Sequence, residues 1–229
     1  CFDVDGVPGQ RGCGPGRPCP WHATGVLSVL LAASDNELGS AGTAGILADS
    51  TVPMLVRFEG GIDSMASTIE ILVDWGASVI NLSLGTGPLG WWARNFGSFS
   101  GLNALNDAGD LAKDEGAIVV VSAGNGDSDG NGLDLDDNTV LPCESNGTIC
   151  VGAVMLDTGP GSSDYLKHKD YSNYGTKVDI WAPTDIAVQP DPASDACGTL
   201  PNNTNPVVLS TFGGTSASSP YVAGSVLMM

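Results

Sequence analysis

Alternating apolar runs and amphipathic stretches predict an α/β fold, a parallel sheet covered by helices, in one domain over residues 1–229. Three observations carry that expectation. Residues 78–85 and 117–121 are short apolar runs rich in Val and Ile, the pattern of strands buried on both faces. Each run is preceded by a longer stretch with helical apolar spacing, which is how parallel strands are connected. The length of 229 residues, 42% of them apolar, suffices to bury one sizeable core, and 32 glycines with 14 prolines supply tight turns between short elements.

In chain order, residues 1–20 are rich in Gly, Pro and Cys and read as a loop. The apolar residues 26–33 are long enough for a buried helix, with His22 at its start. Residues 34–39 form a turn, and residues 53–58 read as a short buried strand that Pro53 can open but could not interrupt. Asp63 is an expected N-cap, after which Met65, Ile69 and Leu72, flanked by Ile71 and Trp75, outline the apolar face of a helix. Residues 78–85 return as a strand. Trp91, Trp92 and Phe96 follow in a Gly-rich loop, able to line a cleft or simply cover core. A helix bearing Leu102, Leu105 and Leu111, with Gly109 as a weak point, is expected to end near Gly116. Strand 117–121 runs into Ser122-Ala123-Gly124-Asn125, and a further strand is expected over 149–154. Val207-Val208-Leu209-Ser210 reads as an extended segment leading to a last helix beyond Pro220. His168, among charged neighbours, reads as surface and receives no role. The sequence opens at Cys1-Phe2-Asp3 without a starting Met and stops inside an apolar segment at Met228-Met229, so both ends are expected to be cut.

Charge excludes two classes of partner. With 26 acidic against 8 basic residues, the net charge of −18 repels nucleic acid and anionic membranes. No apolar run approaches the roughly 20 residues needed to cross a bilayer. Six cysteines, four of them closely spaced as Cys13/Cys19 and Cys143/Cys150, show no zinc pattern and suit disulfides in an oxidising, secreted setting. Their connectivity stays open. Asp127-Ser128-Asp129-Gly130-Asn131-Gly132 matches the first half of a calcium loop, but Asn138 stands where that loop needs a bidentate Glu. Structural calcium is therefore a minor alternative to a solvated acidic loop, and no cofactor is otherwise required.

The most informative stretch is Gly214-Thr215-Ser216-Ala217-Ser218-Ser219-Pro220. It joins an extended run to a helix of small and apolar residues, so Ser216 sits at or near a helix N-terminus. Free N–H groups and the positive end of the helix dipole favour negative charge there. An attacking serine that generates an oxyanion gains from that field; a serine that merely caps the helix explains the same residue. Likewise Asn125 suits a turn after a strand, and His22 alone suits a structural hydrogen bond.

Together these residues resemble the subtilases, the subtilisin-like serine peptidases. Gly-Thr-Ser-x-x-Ser-Pro followed by Val-Ala-Gly is similar to the family's nucleophile motif, with Ala217-Ser218 where Met-Ala is usual. His22, Thr24 and Val26 match its His-Gly-Thr-His-Val-Ala-Gly motif; Ala23 and Gly25 depart from it, and its second His is absent. Val119 to Asn125 resembles the oxyanion-hole segment. The resemblance covers nearly the whole chain and implies helices on both faces of the sheet. It further implies Ser216 as nucleophile, His22 as general base and Asn125 as oxyanion donor. Ser83, Leu84 and Gly85, with Ser122, Ala123 and Gly124, would pair with an extended polypeptide substrate. Residues 140–143 would lie beside the pocket for the side chain preceding the cut bond, which Val140 would narrow. The family's Asp ends an early strand about thirty residues before the His. Asp5-Gly6 resembles Asp-x-Gly only faintly, so the triad Asp is expected outside this chain. A catalytically silent peptide-binding domain of the same fold is the alternative; a serine esterase is disfavoured because no Gly-x-Ser-x-Gly elbow surrounds Ser216.

Overall fold

The run of β-branched residues at 118–121 forms an inner strand of the sheet. In the computed structural model, which describes residues 22–37, 40–56, 60–89, 100–127, 129–156, 166–188 and 210–229, β1 (Val79–Leu82) pairs in parallel with β2 (Ile118–Ser122). β2 pairs in parallel with β3 (Thr148–Leu156). The long β3 also takes β4 (Leu166–His168) antiparallel and β5 (Ile180–Pro183) parallel. A separate antiparallel pair joins β6 (Ile186–Val188) to β7 (Ser210–Phe212).

Helices cover both faces of the main sheet, and the pleat shows how. Successive strand residues point to opposite faces. Val119 and Val121 thus join Ile80 and Leu82 in a core shared with α2 (Ile62–Asp74) and α3 (Ser100–Asp114). Val120 points the other way, with Val151 and Ala182, onto Val222 and Ala223 of α4 (Thr215–Leu227). α1 (His22–Leu31) packs against α4 on that second face.

Four local expectations are adjusted. Gly61, not Asp63, is the N-cap of α2, and Asp63 instead lies in the first turn, where its charge meets the helix dipole. Ile71 and Trp75 are 38% and 56% exposed, because the buried stripe runs through Met65, Ala66, Ile69 and Leu72, Ile71 points off the edge of that stripe, and Trp75 is the C-cap beyond the helix. Leu111 is likewise outside the stripe formed by Leu105, Ala108 and Ala112. Residues 53–56 form no strand: Leu55 is 69% exposed, while Met54 and Val56 pack on the α2 core, so the segment is half-buried and no described segment pairs with it. Residues 57 and 58 lie outside the described residues, as do Trp91, Trp92, Phe96 and residues 1–20.

Gly109, expected to weaken α3, has a packing reason. A Cβ there would fall on the carbonyl oxygen of Asn146, where the turn is stitched to the same helix by Asn146 N–H donating to Asn106 Oδ1 at 3.0 Å and Asn146 Nδ2 to Asp110 Oδ2 at 3.1 Å. The obstacle is backbone and cannot rotate away. Gly109→Ala is therefore expected to destabilise by about 1–3 kcal/mol through overpacking, although Ala is the better helix former by about 1 kcal/mol. A denaturant midpoint equal to or above that of the unsubstituted protein would show that the turn yields.

Candidate active site

Parallel pairing of β1 with β2 brings the two segments just beyond their C-terminal ends side by side, the usual place for a ligand in such sheets. Ser83-Leu84-Gly85 leaves β1; Ser122 closes β2 and Ala123-Gly124-Asn125 follows it. Ser83 and Ser122 are buried and Gly85 is exposed. Val140 lies under both segments: its Cγ1 is 3.9 Å from where a Cβ on Gly85 would sit and 3.6 Å from the corresponding point on Gly124.

The N-terminus of α4 closes this end of the sheet. Asn81 Nδ2 donates to Ser83 Oγ at 2.9 Å, Ser83 Oγ donates to the carbonyl of Ser216 at 3.0 Å, and Ser219 Oγ donates to Asn81 Oδ1 at 2.7 Å. Ser218 Oγ donates to the Pro183 carbonyl at 3.0 Å. Ser216 is thereby fixed by its backbone and its neighbours. Its own hydroxyl makes only a long bond, to the Ser83 carbonyl at 3.4 Å.

Asn125 is oriented through its oxygen. Oδ1 accepts from the Thr215 N–H at 2.8 Å and from Thr215 Oγ1 at 2.9 Å, and Thr215 Oγ1 in turn accepts from the Gly124 N–H at 3.1 Å. With both acceptor positions of the amide occupied, its NH₂ is the end left to face a ligand. Gly214, the residue before Thr215, has φ of 79°, in the left-handed region that favours glycine, and a Cβ there would stand 3.0 Å from Asn125 Nδ2. Buried Asn173, to which sequence reasoning gave no role, holds the Asn125 loop from beneath. Its Nδ2 donates to the Ala123 carbonyl at 2.7 Å, and its Oδ1 accepts from Gly126 and Leu133 N–H at 3.0 and 2.9 Å. The one signal for it is an amide in a Ser-Asn-Tyr-Gly turn that follows a β-strand.

His22 opens α1 and is exposed, yet its ring stands edge-on to Phe212, centroids 5.4 Å apart, and partial burial there lowers its pKa below the ordinary 6.5. Phe212 ends β7, four residues before Ser216. The structure records no hydrogen bond between His22 and Ser216, and among the described residues no carboxylate bonds to His22. A cavity of about 680 Å³ between α1, residues 50–56, α2 and β1 is lined by His22, Ser83 and Leu84 but by neither Ser216 nor Asn125, so we do not identify it with the cleft at the sheet's end.

In the acidic loop Asp127 turns its carboxylate onto the loop's own backbone. Asp127 Oδ1 accepts from the Asn131 and Asp129 N–H groups at 3.0 and 2.9 Å, the former bond being the main cause of its lowered pKa. Among the described residues no group of three or more His, Cys, Asp or Glu could hold a metal ion. Cys143 and Cys150 form a disulfide with Cα atoms 4.8 Å apart; Cys1, Cys13, Cys19 and Cys197 lie outside the described residues.

Residues 13–229 match the model of the subtilase family, Peptidase_S8. The chain belongs to the subtilase family. This subtilase is 31% identical over 237 residues to an extracellular protease of Xanthomonas campestris pv. campestris, covering 95% of the chain and 34% of that protein. It is 31% identical over 210 residues to subtilisin DY of Bacillus licheniformis, covering 91% of the chain and 62% of that protein. Among solved structures, a lanthipeptide protease superposes with a TM-score of 0.61 at 20% identity, over 98% of this chain and 63% of that one, a likeness of fold. The chain thus spans about a third to three fifths of the length of these relatives. Among the described residues no helix is long and apolar enough to cross a membrane.

Proposed function

We propose that this subtilase is the body of a secreted serine endopeptidase. The observation that carries the reading is the pinning of Asn125 Oδ1 by Thr215, which turns the amide N–H groups outward beside a serine at a helix N-terminus. An extended polypeptide lies between Ser83-Leu84-Gly85 and Ser122-Ala123-Gly124 as an added strand, with Val140 limiting the depth of the pocket below. Ser216 Oγ attacks the carbonyl carbon and its proton passes to His22. The oxyanion is held by Asn125 Nδ2–H and the Ser216 N–H. Collapse breaks the C–N bond as His22 returns the proton to the leaving amine. Water, deprotonated by the same imidazole, then hydrolyses the acyl-enzyme.

A carboxylate from outside these 229 residues fixes the His22 tautomer. The chain of 229 residues by itself is accordingly a poor catalyst, and adding the segment that carries the carboxylate raises its turnover of a chromogenic peptide. Equal rates for the two lengths would refute the missing carboxylate.

Asn125→Ala in the full-length protein is expected to lower kcat by about 10²–10³ with KM little changed, a magnitude taken over from subtilisin's own oxyanion asparagine. A loss confined to KM would remove Asn125 from the oxyanion hole. The general test is a fluorophosphonate probe: an adduct on Ser216 of the full-length protein supports the peptidase. The silent peptide-binding alternative is favoured by one observation, the Ser216 hydroxyl bonding to the Ser83 carbonyl and not to His22; apo geometry is often loose at such contacts, and absence of an adduct would decide for it.

A further inference from the structure

Gly214 is gripped at both of its backbone groups. Its N–H donates to Tyr171 Oη at 3.0 Å, and its carbonyl accepts from Thr184 Oγ1 at 3.0 Å. The two hydroxyls are themselves 2.9 Å apart. Proton counting fixes the sense of the whole ring. A threonine hydroxyl has one hydrogen; Thr184 gives it to Gly214, so Tyr171 must donate to Thr184. Gly214 N–H to Tyr171, Tyr171 O–H to Thr184 and Thr184 O–H to Gly214 C=O form a closed cycle in which each hydroxyl donates once and accepts once. Such cycles strengthen their members.

The grip is itself anchored. Thr184 is buried, and Tyr171 is partly so. Lys169 Nζ lies 6.0 Å from the centre of the Tyr171 ring and 2.8 Å from Asp185 Oδ2, tying the loop of one hydroxyl to the residue next to the other. Gly214 carries no side chain that could cap α4, and it is followed by Thr215, which holds Asn125, and then by Ser216. The two peptide planes flanking Gly214 therefore set where both groups stand.

We propose that Tyr171 and Thr184 are positioning residues for the nucleophile, acting through the Gly214 backbone without touching substrate. The proposal rests on the reading of Ser216 as nucleophile. Misplacing reacting groups by about 1 Å can cost on the order of 10² in rate, so loss of a clamp two residues away shows in kcat before KM.

The test uses Tyr171→Phe, Thr184→Val and Thr184→Ser in the full-length protein, with peptide turnover and amide hydrogen exchange at Gly214. Tyr171→Phe and Thr184→Val are each expected to lower kcat about tenfold, the worth of one good hydrogen bond, with KM within about twofold. Thr184→Ser keeps the hydroxyl and restores kcat. The double variant falls little further than either single one, because one break opens the cycle. Exchange at Gly214 N–H quickens about tenfold in Tyr171→Phe. An unchanged kcat in Tyr171→Phe, or equal losses in Thr184→Ser and Thr184→Val, overturns the assignment. Where the unsubstituted protein neither turns over peptide nor takes the probe, the nucleophile reading fails; the clamp then stands or falls separately on Gly214 exchange, and unchanged protection in Tyr171→Phe overturns it.

Discussion

Ser216→Ala in the full-length protein is expected to lower kcat by about 10⁶-fold while leaving stability within about 0.5 kcal/mol. The first figure is that of subtilisin's own triad serine; the second follows from this structure. The Ser216 hydroxyl makes one long bond of 3.4 Å, whereas the residue is held by its carbonyl, which accepts from Ser83 Oγ at 3.0 Å and survives the substitution. A surface change that breaks no strong bond usually stays within that range. Ser219→Ala gives the contrast, since it removes a 2.7 Å hydrogen bond from buried Ser219 to half-buried Asn81 and should cost about 1 kcal/mol. Peptide turnover and denaturant midpoints of the two variants, measured together, separate chemistry from scaffolding. Ser216→Ala retaining kcat within tenfold would end the case for Ser216 as nucleophile.

The contrast also marks what the sequence could reveal. Strands buried on both faces are continuous apolar runs, so β1 and β2 were readable directly, and the helical spacing of Met65, Ile69 and Leu72 gave α2. Once the sheet is parallel, residues at strand C-termini gather at one end. Ser83 and Asn125 could thus be expected beside the helix that bears Ser216. Links made by single polar side chains across 30 to 50 residues leave no periodic trace. Thr184 to Gly214, Tyr171 to Gly214 and Asn173 to Ala123 are bonds of that kind. The edge of α2 failed for a different reason. Asp63 is a good cap by residue type, but Gly61, at φ of 86°, takes the turn that only glycine enters easily. Residues 53–56 look like a strand because they are a short apolar run, and a half-buried extended segment has the same composition.

His22→Ala is expected to match Ser216→Ala, about 10⁶-fold in kcat, and the double variant should be scarcely worse, because base and nucleophile act as one unit. His22 also reports on what completes the site. In its described surroundings desolvation alone acts on the ring, disfavouring the charged form, so its pKa lies below 6.5. The sign for stability follows. A lowered folded pKa means that the native state binds fewer protons than the unfolded one, so His22 costs nothing well above 6.5 and destabilises as pH falls from 6.5 through its folded value. A carboxylate docked against Nδ1 has the opposite effect, favouring the imidazolium and raising the pKa. The C2–H resonance of His22, one of only two histidines, should therefore titrate below 6.5 in the 229-residue chain and move upward in the full-length protein, carrying the acid limb of kcat/KM with it. Equal midpoints in the two would mean that no carboxylate from outside the 229 residues reaches His22. A His22→Ala protein with kcat within tenfold of the original would remove the imidazole from the mechanism, leaving Ser216 without an acceptor for its proton.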